Sequence, residues 1–98
     1  MNIVAITACP TGIAHTYMAA EQLEKVGEEL GHEVKVETQG AMGIENELTE
    51  AEIQAADMVI FAADIEIEKR ERFDGVKIIN VSVRDAIKDP KGIFAKLI

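Results

Sequence analysis

The strongest constraint on the fold comes from two short runs of apolar residues that contain no polar position. They are Ile-Val-Ala-Ile at residues 3–6 and Met-Val-Ile-Phe-Ala-Ala at residues 58–63. A strand that is apolar at consecutive positions is typical of a sheet that is covered on both faces. Because parallel strands need crossover connections, the sequence between the two runs is expected to supply helices.

Two helices are predicted between these runs. Residues 13–30 repeat apolar side chains at spacings of three and four, which indicates an amphipathic helix that ends at Gly31. Farther along, Thr49 and Glu52 have the spacing of a capping box, which predicts a short helix over residues 50–56.

The segment after the second run predicts shorter helical pieces. Residues 65–73 mix charged and apolar side chains and favour a short helix or a turn. Ser82 is expected to cap a helical turn that reaches about Lys88. Asp89 followed by Pro90 is a typical start for the last helix.

Four strands complete the pattern, at residues 2–8, 33–38, 58–63 and 76–80. Residues 33–38 alternate apolar and charged side chains, so this strand is expected at a sheet edge with one solvent-exposed face. The element order β-α-β-α-β-(α)-β-α predicts a single α/β domain over residues 1–98. The expected architecture is a three-layer, doubly wound domain with a four-stranded parallel sheet in the order 2-1-3-4 and helices on both faces.

Charge and cysteine content exclude several classes of function. The formal net charge of −8 argues against a nucleic-acid partner and against adsorption to an anionic membrane. No apolar run approaches the roughly 20 residues of a spanning helix, so no direct membrane insertion is expected. The single cysteine cannot form an internal disulfide, which agrees with a reducing cytoplasm.

That cysteine, Cys9, lies where the first predicted strand passes into the first predicted helix. Backbone N–H groups at a helix start are unpaired and the helix dipole is positive there, so an anion is favoured. A thiolate is such an anion, and so is a phosphoryl group carried on sulfur. Gly12 gives the connecting turn conformational freedom and room for a ligand, whereas Pro10 fixes one φ angle.

Polar residues also follow the other predicted strands. Ligands of doubly wound sheets collect beyond the carboxyl ends of the strands, where the connections reverse direction. By this reasoning Cys9, Gln39, Gly40 and Asp64 share one rim of the sheet, and the last three are possible borders of a site. Polar residues at strand ends are also common turn formers, so a purely structural role stays open for them.

Residues 9–16 (Cys-Pro-Thr-Gly-Ile-Ala-His-Thr) resemble the active-site loop of the enzyme IIB component of the fructose class of the bacterial sugar phosphotransferase system. Residues 36–40, 45–49 and 72–73 are similar to that family as well, and the resemblance covers nearly the whole chain. It implies a phosphoryl relay. A histidine-phosphorylated IIA domain donates to the IIB cysteine, which passes the phosphoryl group to a sugar bound by the membrane IIC domain.

The resemblance also implies roles for individual residues. Cys9 would be the phosphorylated nucleophile, without metal or other cofactor, in a cytoplasmic protein that docks to IIC at the inner face of the membrane. The phosphate would be held by the seven residues that follow, which are Pro10, Thr11, Gly12, Ile13, Ala14, His15 and Thr16. Because this loop contains no lysine or arginine, the phosphate is expected to be held mainly by neutral donors.

Two other functions stay open at this point. A small cysteine-dependent phosphatase also carries a Cys-x5-Arg-[Ser/Thr] loop, but His15 stands where that loop needs arginine for bidentate phosphate binding. Asp89 before Pro90 could serve such an enzyme as general acid, although a helix start explains the pair. The third hypothesis is a non-enzymatic regulatory domain that uses an exposed thiol.

Overall fold

The computed structural model describes residues 1–9, 13–40 and 42–96, with the backbone alone at Ile13. The strands are β1 (Asn2–Ala8), β2 (Glu33–Gly40), β3 (Gly43–Glu45), β4 (Met58–Ala63) and β5 (Ile78–Val81). The helices are α1 (Ile13–Glu29), α2 (Glu50–Ala55), α3 (Val83–Lys88) and α4 (Pro90–Ala95), with a 3₁₀ turn at Arg70–Phe73. No helix in the described ranges has both the length and the apolar character to cross a membrane.

The five strands form one mixed sheet in the order β3-β2-β1-β4-β5. The four strands expected from the sequence are parallel and lie in the expected order. The prediction of a four-stranded, wholly parallel sheet is nevertheless wrong, because β3 adds a fifth strand antiparallel to β2. A strand of three residues is too short to show an alternating pattern, and Gly40 and Gly43, which pair across this hairpin, read as loop residues.

The position and exposure of β2 also differ from the expectation. This strand is not the edge of the sheet, because β3 pairs with its carboxyl end, from Thr38 to Gly40. Its carboxyl half is buried, and Glu37 is 0% exposed although the alternation predicts a solvated position. The cause is a buried ion pair with Arg72, which is described below and which local periodicity cannot indicate.

Alternate residues of the central strand β1 pack into two separate cores. Ile3 and Ala5 belong to the core beneath α1, α3 and α4. Val4, Ile6 and Ala8 belong to the core beneath α2 and the 3₁₀ turn. Because both faces of β1 are covered, its side chains must be apolar at consecutive positions, which explains the first sequence pattern.

The last turns of α1 direct the chain into β2. Gly27 lies directly against Val34, and a β-carbon at position 27 would collide with the valine side chain. Gly31 ends the helix with φ of +84°, where its own N–H donates to the carbonyl of Glu28 at 3.0 Å and the N–H of His32 donates to the carbonyl of Gly27 at 2.9 Å. This pair of bonds is a Schellman motif, and it confirms the predicted stop.

The short helices begin at the side-chain caps predicted from the sequence. Thr49 Oγ1 accepts from the N–H of Glu52 at 3.1 Å, and the Glu52 carboxylate accepts from the N–H of Thr49 at 2.9 Å. Ser82 caps α3, and Asp89 caps α4 with a proline directly after it. The capping role accounts for Asp89 without any part in catalysis.

Candidate functional site

The sheet register brings three strand ends to one rim. Ala8 pairs with Gln39 of β2 and with Ala63 of β4, so Cys9, Gly40 and Asp64 are the next residues along the three neighbouring strands. The backbone N–H of Asp64 donates to the carbonyl of Ala8 at 3.1 Å and holds two of these ends together.

Cys9 lies on the α1 side of the sheet. Its half-buried side chain packs against the core beneath α1 and α3, as the alternation along β1 requires. Thr7, two residues earlier on the same face, donates its hydroxyl to the carbonyl of Thr16 at 3.1 Å. This bond fixes the first turn of α1 against the end of β1, and therefore beside Cys9.

A cavity of about 370 Å³ opens at this rim. Volumes of roughly 300–1,000 Å³ are usual for small-molecule sites, so the cavity can hold more than a phosphoryl group. Its lining combines the cysteine with residues from α1, from the end of β4 and from α3: Cys9, His15, Met18, Asp64, Val83, Arg84, Ile87 and Lys88.

The two cations of this lining, Arg84 and Lys88, were missed as site residues by sequence reasoning. The sequence drew attention to residues 9–16, which contain no arginine or lysine. The chain folds α3 back to the same rim, since α3 begins directly after β5, a strand parallel to β4. The order of elements could have predicted that α3 lies at this rim. It could not predict which face of α3 lines the cavity.

Asp64 connects the rim to α3. Its Oδ1 accepts from the backbone N–H of Val83 at 3.3 Å, at the first turn of that helix. The aspartate therefore lines the cavity and also fixes where α3 begins. A carboxylate with this placement can position neighbouring groups or repel an anion. The role of Asp64 as a border of the site stays a prediction.

Thr16 is the one buried side chain in the described residues whose polar atom has no hydrogen-bond partner. The residue is 1% exposed. A buried hydroxyl without a partner lowers the free energy of unfolding by about 1–3 kcal/mol, so each such group calls for an explanation, for example a ligand that it binds. Its role as a phosphate donor was predicted from the sequence and stays a prediction.

The other predicted members of the loop are only partly described. His15 and Ala14 are exposed on the first turn of α1. Pro10, Thr11 and Gly12 lie outside the described residues, as does the side chain of Ile13. The predicted cradle for phosphate therefore stays a prediction at these positions.

Gln39 belongs to a different set of contacts. Its Nε2 donates to Glu37 Oε2 at 2.7 Å and to the carbonyl of Glu68 at 3.1 Å, and its Oε1 accepts from the N–H of Glu68 at 2.7 Å. Gly40 is exposed at the end of β2 and pairs with Gly43. The structure thus brings Asp64 into the cavity beside Cys9, while the side chain of Gln39 points to the opposite face.

A buried ion pair organises that opposite face. Arg72 Nη1 donates to Glu37 Oε1 at 2.7 Å, and Nη2 donates to Oε2 at 3.0 Å. The N–H of Leu48 also donates to this carboxylate at 2.8 Å. Burial alone would raise the pKa of Glu37, but the hydrogen bonds from Arg72, Gln39 and Leu48 outweigh it and hold that pKa below its ordinary value.

Comparison with known proteins identifies the family. The family model described as "PTS system, Lactose/Cellobiose specific IIB subunit" matches residues 4–96. The chain belongs to the IIB family of the phosphotransferase system. The resemblance inferred from residues 9–16 is confirmed, and the IIB components of this system are phosphotransferases.

Individual relatives agree with this assignment. The PTS system fructose-like EIIB component 2 of Escherichia coli (strain K12) is 54% identical over 96 residues, which cover 98% of this chain and 91% of that protein. A crystal structure of a domain from the fructose-specific IIABC component of Borrelia burgdorferi superposes with a TM-score of 0.91 and 46% identity, covering 98% of this chain and 91% of that one.

Longer proteins contain a similar segment. The PTS system 2-O-alpha-mannosyl-D-glycerate-specific EIIABC component of Escherichia coli (strain K12) is 50% identical over 93 residues, which cover 95% of this chain and 14% of that protein. Related IIB segments therefore occur both in short proteins and within larger polypeptides that carry A and C parts.

Proposed function

We propose that this chain is the phosphoryl-carrier IIB component of a fructose-type sugar phosphotransferase system and that Cys9 is the carrier residue. The observation that carries the proposal is the position of Cys9. It is half-buried at the end of the central strand, beside the first turn of a 17-residue helix, and it lines a cavity open to a partner. A helix start of this kind favours a bound anion such as a phosphoryl group on sulfur.

The reaction consists of two in-line displacements. The Cys9 thiolate attacks the phosphorus of a IIA phosphohistidine, so an S–P bond forms, the N–P bond breaks and the electron pair leaves with the imidazole nitrogen. A sugar hydroxyl then attacks the same phosphorus. An O–P bond forms, the S–P bond breaks, the thiolate is restored and the hydroxyl proton passes to a base or to water.

The Cys9 sulfur is the one atom of the protein that forms a covalent bond in this reaction. The rest of the site positions the reacting groups and stabilises the charge on the phosphoryl group. In phosphoryl transfer the charge spreads over the three equatorial oxygens, which backbone N–H groups at a helix start can stabilise. The Thr16 hydroxyl, which has no partner among the described residues, is a second donor for these oxygens. The Thr7–Thr16 bond keeps that helix start beside the sulfur.

The partners follow from the relay. A IIA domain supplies the phosphoryl group, and a membrane IIC permease presents the sugar at the inner face of the membrane, where this cytoplasmic domain would dock. A mannosyl-glycerate-specific relative carries A, B and C parts together, which supports both partners. The same relative is a reason to include 2-O-α-mannosyl-D-glycerate beside fructose when sugars are tested.

The experiment reconstitutes the relay from phosphoenolpyruvate, the general phosphotransferase proteins, a IIA domain and membranes that contain a IIC permease. Wild-type protein should transfer phosphate to the sugar, and Cys9→Ser should abolish this transfer while unfolding at the same denaturant concentration. Wild-type activity in the Cys9→Ser variant would contradict the proposal. Steady multiple-turnover release of phosphate from an aryl phosphate would favour the phosphatase hypothesis instead.

A further inference from the structure

We propose that Arg84 and Lys88, on α3, bind the phosphoryl group that Cys9 carries. The inference rests on the proposed function and adds to it a cationic side of the site that lies outside residues 9–16. Both side chains line the same cavity as Cys9. They are four residues apart on one helix, so they lie on the same face of it.

Helix α3 holds these two side chains on a fixed support. Val83 and Ala86 are 2% and 0% exposed in the core against which Cys9 itself packs. Ser82 caps the helix, and Asp64 accepts from the N–H of Val83. Because the buried residues of α3 and the end of β1 share one core, the distance between the cations and the sulfur is set by packing.

The phosphoryl group and Asp64 bring negative charge to the site, which nearby cations would balance. A phosphoryl group on a side chain carries about −1.5 to −2 charges at pH 7. Asp64 adds a carboxylate to the same cavity, and the chain as a whole has a formal net charge of −8. Among the lining residues that the structure describes, Arg84 and Lys88 are the two permanent cations, and they offset the charge that arrives with the phosphoryl group.

Among the described residues, no other group pairs with these two side chains. Within residues 1–9, 13–40 and 42–96, neither Arg84 nor Lys88 has a hydrogen bond or an ion pair of its side chain. Three other cations are paired, since Lys35 binds Glu52, Lys69 binds Glu47 and Arg72 binds Glu37.

The apolar part of the lining makes the cations more effective. Met18, Val83 and Ile87 supply apolar lining to the cavity. Low polarity strengthens the attraction between a cation and a phosphate, because water screens them less. Arg84 can give two parallel hydrogen bonds to a phosphate, whereas Lys88 acts as a point charge.

The test compares Arg84→Ala, Lys88→Ala and the double variant with Lys77→Ala. Lys77 is exposed and does not line the cavity, so its substitution changes the net charge as much as each single variant does and controls for long-range effects. Phosphorylation of Cys9 by phosphorylated IIA is followed by intact-protein mass spectrometry. We expect Arg84→Ala to lower kcat by roughly 100-fold, as the loss of one charge-stabilising donor usually does. Arg84→Lys should recover part of this loss.

A second measurement separates binding of the phosphoryl group from docking of the donor protein. In ³¹P spectra of the phosphorylated protein, loss of both cations should move the titration of the phosphate to higher pH by about one unit. His15 and Asp64 line the same cavity in all variants, so the comparison with Lys77→Ala isolates the effect of the cations.

The outcomes are distinguishable. If wild-type protein accepts no phosphoryl group, the proposed function itself fails. If wild-type protein is phosphorylated but the double variant matches Lys77→Ala in both kcat and the ³¹P titration, the inference is overturned and the proposed function stands. A raised KM for IIA with unchanged kcat and unchanged titration also overturns it, because the cations then serve docking alone.

Discussion

Two groups of polar side chains lie at the same rim of the sheet, on opposite faces, and they differ in how completely they are paired. Around Glu37, the carboxylate accepts from Arg72, Gln39 and Leu48. Around Cys9, the Thr16 hydroxyl is buried without a partner and the side chains of Arg84 and Lys88 are unpaired among the described residues.

The contrast separates a structural cluster from the site that we propose binds the phosphoryl group. A buried charge is tolerable only when its partners are complete, and the bidentate pair at Glu37 meets that condition. The buried Thr16 hydroxyl costs stability unless a ligand completes it, whereas Arg84 and Lys88 are exposed to solvent and carry no such cost. We therefore expect substitutions in the first group to reduce stability and substitutions in the second group to reduce activity.

The largest effect on stability is expected from Arg72→Ala. This change leaves the Glu37 carboxylate buried without its cation, and breaking a buried pair in this way costs about 3–5 kcal/mol of the free energy of unfolding. Lys69→Ala is the matched control, because Lys69 pairs with Glu47 at 3.0 Å on the surface, where side chains are about half exposed. That pair should contribute at most about 1 kcal/mol. If denaturant titrations gave both variants the same loss of unfolding free energy, the distinction between the buried pair and the surface pair would be wrong.

The pH dependence of stability gives a second test of the paired cluster. Because the pKa of Glu37 is lower in the folded protein than in the unfolded chain, the unfolded chain binds more protons at low pH. The stabilisation is complete above the ordinary glutamate pKa, about 4.3, and is lost as the pH falls below it.

Glu37→Gln should therefore lose stability at neutral pH and show a flatter decline in acid than wild-type protein. Glu52→Gln is the control at the surface, where hydrogen bonds from Lys35 and from the N–H of Thr49 hold the pKa of Glu52 below its ordinary value. Thermal unfolding between pH 7 and pH 3 measures the stability of both variants and of wild-type protein. If the stability of Glu37→Gln declined with falling pH as steeply as that of wild-type protein, this ion pair would not control stability in acid.

The smallest effect distinguishes two buried threonines on the Cys9 side. Thr7 donates its hydroxyl to the carbonyl of Thr16, whereas the hydroxyl of Thr16 has no partner. Thr7→Val should lower the free energy of unfolding by about 1 kcal/mol, and Thr16→Val should leave it unchanged or raise it by about 1 kcal/mol. Thr16→Val should also slow phosphorylation of Cys9. A loss of stability in Thr16→Val equal to that in Thr7→Val would contradict the assignment of Thr16 to a ligand site.

Much of the fold could be predicted because its information is local. The apolar runs of β1 and β4, the spacing in α1 and the caps at Thr49, Ser82 and Asp89 each depend on a few neighbouring residues. These signals also determined the order of the four parallel strands, since crossover connections restrict the alternatives.

What sequence reasoning missed depends on contacts between distant residues. Glu37 reads as solvated because its partner Arg72 lies 35 residues away. The three-residue strand β3 is defined by its pairing with β2 and has no pattern of its own. Arg84 and Lys88 line the same cavity as Cys9 because β5 runs parallel to β4 and α3 then packs beside α1, a tertiary arrangement that residues 9–16 do not encode.

The most direct test of the account is the location of the phosphoryl group after transfer from phosphorylated IIA. Peptide mapping by mass spectrometry, in a neutral buffer that preserves acid-labile phosphohistidine, distinguishes Cys9 from the neighbouring His15. We expect one phosphoryl group per chain, on the sulfur of Cys9, and no label in Cys9→Ser. A phosphoryl group on His15, or label retained in Cys9→Ser, would contradict it.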